Sequence, residues 1–406
     1  MLTIVISLIV PISLVLIFRY LNAERKPAIF GVYQQRNKTY FLKFIVIYLF
    51  LRSRQLIRHL RRLRAVDVGR SDDGTIKPHE QDEPLEKKYN LGDHRLAVDA
   101  VYFNGMSKEG AALICGLARR AHHDVDTFMY LKVEGEELLL TPNLPDTRAT
   151  QTAVEQGHYK SGGLSIVNFI PMRTWEVTYS GEMKSKAGSK MNVELSVTWS
   201  AHFGHFNYDT HMAPLSVASD MAREAWSADY FKLLKKFHQT HYEQMGHLLG
   251  TVTIDGITTD ISMPCVRDHS FGNYRDWRNF HRYVLHFLYL ENGDCLAVGC
   301  VSQPAVLSHL TIGYLCRKAD QTIFPVKSTD FKLYQHGENG ILPTDYGFSF
   351  KAGGKQYIVK VLVKEEDSFY LGKDREAKIY ERWCTVEVNG VKGWGCAEWQ
   401  YNNTRK

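Results

Sequence analysis

The chain has 406 residues, of which 44% are hydrophobic and 12% aromatic, enough for packed cores in two or three domains. Its formal net charge is +6, but six arginines lie between residues 52 and 64, so the remainder is close to neutral. This composition excludes a disordered protein. It also argues against a broad nucleic-acid surface, and we expect no nucleic-acid partner.

Seven cysteines give an odd count without a CxxC pair or a regular spacing, which predicts neither a disulfide framework nor a zinc module. Cys295, Cys300 and Cys316 lie in apolar runs, where buried reduced thiols are expected. Reduced thiols are typical of a domain that faces the cytosol. The histidines do not match a familiar metal-ligand spacing either, and no nucleotide-binding motif occurs, so we predict no metal and no cofactor.

The N-terminus begins with an uncharged apolar segment. Residues 1–18 would span about 27 Å as a helix, close to the roughly 30 Å thickness of the hydrocarbon core of a bilayer. Because neither a basic start nor a small-residue cleavage site accompanies this segment, it differs from a signal peptide. We predict an uncleaved single-pass anchor over residues 1–22.

A second apolar run covers residues 40–51 and leads into a basic stretch. The run has only 12 residues and contains a lysine, so we predict that it lies on a membrane or packs against the protein. After it, Leu56, Ile57, Leu60 and Leu63 repeat at helical spacing with arginines on the opposite face, typical of an amphipathic helix on a membrane. An ordinary solvated basic helix is the alternative. The predicted membrane-surface residues are Arg52, Arg54, Arg58, Arg61, Arg62 and Arg64.

Residues 23–65 thus form a membrane-proximal segment, and residues 66–92 are polar, rich in charge and predicted to be a linker. Positive charge follows both apolar runs. By the positive-inside rule we therefore expect the rest of the chain to lie in the cytosol, with membrane lipids as partners. A lumenal domain is the alternative.

From residue 93 onward, short β-prone runs are separated by turn signals. A helical pattern between Ser219 and Phe237 interrupts them near the middle. We therefore predict a mainly β protein with two tandem antiparallel barrels, residues 93–245 and 246–406, and a helix near their junction. Five tight hairpins are predicted, at Gly135, Asp255-Gly256, Asn292-Gly293, Gly353-Gly354 and Asn389-Gly390.

The stretch RDHSFGNYRDW, residues 267–277, sets an Arg-Asp pair on each side of a central glycine. If it folds as a hairpin around its centre, Asp268 faces Arg275 and Arg267 faces Asp276, so two ion pairs explain all four charges. A one-residue shift of the turn would change these pairs, which leaves the register open.

The preceding strand bears on which of these side chains point inward. Its alternation places Arg267 and His269 on the apolar side, whereas a bulge at Pro264 would bring Asp268 there instead. In both cases an acid-base set approaches the interior. A buried ion pair is only weakly stabilising unless it is fully hydrogen-bonded, so structural pairing and a role in ligand binding or catalysis both stay open.

The β region resembles the double-lipocalin superfamily, which includes bacterial carotenoid hydratases of the hydroxyneurosporene synthase type. It is more closely similar to the N-terminal region of animal phosphoenolpyruvate synthase-like proteins. The resemblance implies two lipocalin-like barrels side by side, although Phe271 stands where relatives often carry Trp. The chain has no phosphotransferase module, so no phosphoenolpyruvate chemistry is implied. The matching segments are DAVYFNGMSKEGAALICGLARR (99–120), WEVTYSGEM (175–183), HYEQMGHLLGTVTIDG (241–256), RDHSFGNYRDW and GWGCAEW (393–399).

Three functions are compatible with these features. The first is a membrane-tethered enzyme of the hydratase or cyclase type acting on an apolar, isoprenoid- or lipid-like substrate. In it, Asp268 or Asp276 protonates a double bond and His269 orients or exchanges the proton. The second is a lipid-binding or lipid-transfer module without chemistry, and the third is an interaction scaffold. The predicted ligand-binding residues are Arg267, Arg275, Trp277, Tyr274 and Phe271.

Overall fold

The computed structural model describes residues 26–66 and 83–404. Within these residues the chain has three α-helices and 20 β-strands. The helices are α1 (Tyr40–Val66), α2 (Pro214–Met221) and α3 (Ala228–Lys236).

The first sheet closes into an antiparallel barrel of eight strands. The barrel closes because the short strand β4 pairs with both β3 and β8, while β5, β6 and β7 extend the sheet beyond the ring. The strands are β1 (Val98–Met106), β2 (Ala112–Arg120), β3 (Asp124–Lys132), β4 (Leu139–Leu140), β5 (Arg148–Thr150), β6 (Tyr159–Ser161), β7 (Leu164–Ile170), β8 (Thr174–Ser185), β9 (Lys190–Asn207), β10 (Thr240–Ile254) and β11 (Ile257–Gly272).

The second sheet has nine strands in the order β15-β14-β13-β12-β20-β19-β18-β17-β16 and curls into a half-barrel. Its two end strands, β15 and β16, do not pair with each other, so the prediction of a second closed barrel is wrong. The strands are β12 (Arg282–Leu290), β13 (Cys295–Gln303), β14 (Leu307–Arg317), β15 (Thr322–Pro325), β16 (Ser328–Thr329), β17 (Asp345–Ala352), β18 (Lys355–Leu371), β19 (Ala377–Val388) and β20 (Val391–Asn402).

All five predicted hairpins are present, as the pairs β3–β4, β10–β11, β12–β13, β17–β18 and β19–β20. In the β10–β11 turn, Asp255 has φ 47° and Gly256 has φ 88°. Two consecutive positive φ angles match the twist of the flanking strands, which is why Asx-Gly pairs mark such turns.

The first sheet reaches further along the chain than predicted. β10 and β11 pair with β9 and β1, so this sheet continues to Gly272 and passes the predicted boundary at residues 245 and 246. The helices lie between β9 and β10, inside the first unit rather than at its junction with the second.

The predicted single helix over residues 219–237 is two helices. Ser227 begins α3, because its hydroxyl accepts a hydrogen bond from the amide nitrogen of Tyr230. Asp220, within the first part of the predicted helix, is instead a buried residue of α2 whose carboxylate accepts from the amide of Thr311 at 2.8 Å.

At the N-terminal side, the predicted apolar run and basic helix form the single helix α1. None of the helices in the described ranges is both long enough and apolar enough to cross a bilayer. The predicted anchor over residues 1–22 and most of the predicted linker lie outside the described residues. The end of that linker is ordered: residues 83–86 form a short 3-10 helix, and Glu86 enters the barrel.

Two hydrophobic layers join the sheets. One contains Phe128 of β3 and Phe369 of β18, whose ring centroids lie 4.2 Å apart. In the other, Tyr289 of β12 reaches the barrel, where its hydroxyl donates to the carbonyl of Asn104 at 2.6 Å and accepts from the amide of Val266 at 2.9 Å. The sheets therefore pack directly against each other, except where a cavity separates them.

Candidate ligand-binding and acid-base site

Arg267 of β11 lies inside the first barrel and is 1% exposed. Its guanidinium pairs with Glu86 and donates to the side-chain oxygen of Gln244 at 2.8 Å. It also lies over the rings of Trp175 and Trp199, about 5 Å from each centroid. Arg267, predicted to bind ligand, is therefore enclosed by its own protein partners in the barrel core.

His269, the predicted proton-exchanging residue, is fully buried in the same interior. Its Nε2 lies 2.7 Å from the Asp99 carboxylate, which also pairs with Arg119 and accepts from the Tyr159 hydroxyl. Burial alone would raise the pKa of Asp99, but its bonds to His269 and Arg119 hold it below the usual range. His269 thus belongs to a buried network in the barrel.

The stretch of residues 267–277 does not fold as a hairpin. β11 ends at Gly272, and the chain then runs through a short 3-10 helix, Trp277–Asn279, into β12. Asp276 forms a 2.8 Å ion pair with Arg278 near the surface. Because Arg267 pairs with Glu86 inside the barrel, the predicted Arg267–Asp276 pair across a hairpin is wrong.

Asp268 points in the opposite direction from its two neighbours, because successive side chains of a strand alternate between the faces of a sheet. It faces a cavity of about 560 Å³ between the barrel and the half-barrel. Most of the lining is apolar, from Leu117 and Phe128 on one side to Leu285 and Phe287 on the other. Such a volume with a mainly apolar surface suits one small apolar ligand.

The surroundings of Asp268 favour its protonated form. Burial is the main cause, and the nearby carboxylates of Glu243 and Glu398 add to it, while His241 and Arg275 oppose it; together they raise the pKa of Asp268 to about 7. A carboxyl group with a pKa near neutrality can both donate and accept a proton under physiological conditions.

Two further carboxyl groups, those of Glu398 and Glu381, lie on the half-barrel side of the site. Glu398 of β20 lines the cavity and accepts from the Tyr283 hydroxyl at 2.5 Å, and it lies opposite Glu381 in the β19–β20 ladder. Glu381 accepts from the Tyr102 hydroxyl at 3.0 Å. Burial, together with their mutual repulsion, raises the pKa of Glu381, and burial raises that of Glu398. The cavity therefore has acid groups on both walls.

Arg275 is the arginine whose charge acts on Asp268 in this site. It lines the cavity, and its Nε donates to the side-chain oxygen of Gln239 at 2.6 Å. Burial and the neighbouring Arg120 lower its pKa to about 10, so it remains charged at neutral pH. Its charge interacts with that of Asp268, the other member of the predicted pair.

The predicted aromatic residues divide between two places. Trp277 lines the cavity together with Phe280. Tyr274 instead stacks on Phe237, with ring centroids 5.2 Å apart, and Phe271 stacks on Tyr89 at the same distance; neither is among the described residues that line the cavity.

Several groups that the fold brings to this site were not among the residues predicted from the sequence. His241 and Tyr208 both line the cavity and both bond to Glu243 at 3.0 Å. In the sequence, His241 is one of the histidines that match no familiar metal-ligand spacing. Glu243 is the only acid in β10 and Glu398 the only acid in β20, and that isolation is the one local signal that could have singled them out.

The arginines predicted to face a membrane differ in position. Arg58 turns toward the protein, lines the cavity and donates to the carbonyl of Thr210 at 3.2 Å. Arg52 and Arg54 are exposed. Arg61, Arg62 and Arg64 belong to α1, but their side chains lie outside the described part of the chain.

A family model matches residues 8–401, nearly the whole chain. The chain belongs to the family of unknown function DUF8627. No curated protein matches its sequence significantly. The resemblance to carotenoid hydratases and to phosphoenolpyruvate synthase-like proteins stays a prediction.

Three solved structures are similar to this DUF8627 chain over most of its length. The match to an AttH protein from Nitrosomonas europaea covers 82% of this chain and 98% of that protein, at 11% sequence identity and a TM-score of 0.48. The match to CghA covers 77% of this chain and 90% of CghA, at 9% sequence identity and a TM-score of 0.46. The match to kievitone hydratase from Nectria haematococca covers 77% of this chain and 92% of that protein, at 12% sequence identity and a TM-score of 0.44.

Proposed function

We propose that the protein binds an apolar, isoprenoid- or lipid-like molecule between its two sheets and transforms it by acid catalysis, with Asp268 as the proton donor. One observation carries the proposal: a carboxyl group with a pKa of about 7 lies in the wall of an otherwise mainly apolar cavity. Burial in such surroundings disfavours the charged form, so much of this carboxyl group keeps its proton near neutral pH and can donate it.

The chemistry follows from these groups. Asp268 donates its proton to a carbon of a double bond, which leaves a carbocation and the Asp268 carboxylate. For hydration, water adds to the cation and returns one proton to the carboxylate, so the net change is the addition of one water. For isomerisation, the carboxylate removes a proton from a carbon next to the cation. For cyclisation, a second double bond first attacks the cation and moves the positive charge to a new carbon, and a neighbouring proton is then lost in the same way. In both cases the carboxylate recovers its proton.

Other residues of the cavity have supporting roles in this mechanism. The rings of Trp277 and Phe280 can stabilise the cation through their faces. Arg275 stabilises the Asp268 carboxylate after the proton has left, because its charge favours the ionised form. The Glu398 and Tyr283 pair lies on the other wall, where it can orient a water or a polar end of the ligand.

Incubation of the protein with a panel of unsaturated isoprenoids in D₂O tests the proposal. Acid catalysis by Asp268 places one deuterium on carbon in the product, which mass spectrometry detects for hydration and cyclisation alike. We expect Asp268→Asn to lower the rate of deuterium incorporation by about 100-fold or more, since general acids contribute on this scale. Asp276→Asn, which changes the surface pair with Arg278, is the matched control and should retain activity.

Two results would contradict the proposal in different ways. Equal turnover by Asp268→Asn and the unaltered protein would remove Asp268 from the chemistry. Tight binding of a panel member without deuterium incorporation would instead favour a lipid-binding module, which the apolar cavity alone is sufficient to support.

A further inference from the structure

Helix α1 has an uncovered apolar face. In the described part of the chain, 21 large apolar residues have exposed side chains. Nine of them lie between Phe41 and Leu60, where each is 48–69% exposed. Leu42, Leu49 and Leu56 are seven residues apart, so they form one line along the helix. An apolar surface of this length is unusual on a soluble monomer and indicates an interaction site.

The opposite face of α1 is fixed to the protein. Ile47 packs on Ala218 and Met221 of α2, and Lys43 donates to the carbonyl of Glu224. Because this buried face sets the rotation of the helix, the exposed line points away from the protein body. The apolar face is therefore a rigid, outward-facing surface.

The charges on α1 indicate which occupant fits. The helix has one lysine and six arginines and no acidic residue. Arg52 and Arg54 are exposed beside the apolar face, and the Arg54 guanidinium lies 5.7 Å from the centroid of the Phe50 ring. A second copy of the chain would bring two basic helices together, which like-charge repulsion disfavours. An anionic lipid surface satisfies both the apolar line and the cations.

We propose that α1 lies in the boundary between headgroups and acyl chains of an anionic bilayer, with Leu42, Leu49 and Leu56 inserted and the exposed arginines at the headgroups. The helix is about 40 Å long and seven of its 27 residues are Lys or Arg, which disfavours insertion at right angles to the bilayer but suits a position parallel to the surface. This docking does not depend on any chemistry at Asp268.

The same helix connects the bilayer to the cavity. Leu51, Gln55 and Arg58 of α1 line the cavity on the inner side of the helix, while Leu49 and Leu56 are exposed on the outer side. Docking through α1 therefore places the cavity one helix diameter, roughly 10 Å, from the membrane. An apolar molecule dissolved in the bilayer would have only this short path to the cavity.

A fluorescent probe at one position of the full-length protein tests the docking. The probe is attached at Leu49→Cys, and vesicles contain phosphatidylcholine brominated in the acyl chains, with or without about 30% phosphatidylserine. The control position is Ile257→Cys, which is 74% exposed and lies at the opposite end of β11 from Asp268. The protein without either substitution is labelled in parallel, since Cys295 is partly accessible.

We expect several-fold quenching of the probe at position 49 on vesicles with phosphatidylserine and much less on phosphatidylcholine alone, with no change at position 257. Raising the salt concentration from about 0.1 to 0.5 M should weaken binding, since the screening length falls below 5 Å. The local readout matters because residues 1–18 could hold the chain on vesicles without α1.

Three results would overturn the proposal. A probe at position 49 that is vesicle-bound but not quenched would show that α1 stays outside the bilayer. If the probe is already shielded without lipid and gel filtration gives a monomer, another part of the chain covers the apolar face of α1. The same shielding in a dimer would identify a second copy as the occupant.

Discussion

Arg267 and Asp268 are adjacent in sequence and have opposite surroundings. Arg267 points into the barrel, where Glu86, Gln244 and two tryptophan rings enclose it. Asp268 points into the cavity, where burial raises its pKa. The difference arises from the alternation of a β-strand, which turns one residue toward a fully partnered core and the next toward space that a ligand can fill.

At this scale we predict a pH-dependent stability that arises from Asp268. Its pKa rises from 3.8 to about 7 on folding, so between pH 4 and 7 the folded protein holds a proton that the unfolded chain has released. The free energy of unfolding therefore falls as the pH rises through this window, and the loss is complete above pH 7. Asp268→Asn, which cannot ionise, should become more stable relative to the unaltered protein by about 2 kcal/mol between pH 5 and 8, allowing for solvent in the cavity.

Urea denaturation at pH 5, 6, 7 and 8 measures this difference. Asp276→Asn is the control, because the hydrogen bonds from Arg278 outweigh burial and lower the pKa of Asp276 below its usual value. Its effect should be destabilising and constant over the same range. A constant difference for Asp268→Asn as well would contradict the raised pKa.

At the scale of single elements, the close approach of β9 and β10 at the Trp199 ring depends on Gly246. The register of this pair shifts between Gln244 and Gly246, and the Trp199 ring lies directly against the backbone there. A Cβ added at Gly246 would lie 2.5 Å from the ring and 2.3 Å from the carbonyl oxygen of Ser200. Trp199 is fully buried and donates to the carbonyl of Cys265 at 3.0 Å, so it has little freedom to move.

We therefore predict that Gly246→Ala destabilises the protein by about 2–3 kcal/mol, since overpacking of a rigid core has costs of this size. Gly204→Ala in β9 is the matched control, because its nearest neighbour would be the Ile323 side chain at 3.7 Å, an ordinary contact. Chemical denaturation of both variants provides the measurement. Equal denaturation midpoints for the two variants would show that the Trp199 ring can move to accommodate the added methyl group.

At the scale of the whole molecule, the barrel and the half-barrel share buried polar contacts. Tyr289 bonds to Asn104 and Val266, and the Trp394 indole nitrogen donates to the carbonyl of Met106 at 2.6 Å. Buried backbone groups of one sheet are thus satisfied by side chains of the other. This arrangement couples the stability of the two sheets, because separating them would break these buried hydrogen bonds and expose the two hydrophobic layers.

We predict that Tyr289→Phe destabilises both sheets together, by about 2–4 kcal/mol, because it leaves a buried amide and a buried carbonyl without partners. Hydrogen exchange should show the same loss of protection in β1 and in β12. Tyr357→Phe, at a ring that stacks on Phe350 within the second sheet, should change little. Loss of protection confined to β12 in the Tyr289 variant would mean that the sheets unfold independently.

Local features of this protein could be predicted from the sequence by itself. The five hairpins depend on adjacent residues such as Asp255 and Gly256, whose backbone preferences need no distant partner. The helical pattern of residues 52–65 was predicted for the same reason, and it lies within α1. The inward direction of Arg267 and His269 follows from strand alternation when no bulge occurs at Pro264, and the β10–β11 register is continuous there.

Tertiary structure alone decided the site and the closure of the sheets. Asp268 and Glu398 are 130 positions apart, and their meeting depends on how the two sheets pack. Whether the second sheet closes depends on contacts between β15 and β16, which local patterns do not encode. Arg267 pairs with Glu86, which lies within the predicted linker, although the nearer Asp276 was a plausible partner. Short-range backbone preferences act within a few residues, whereas burial and charge pairing are settled only when distant segments pack together.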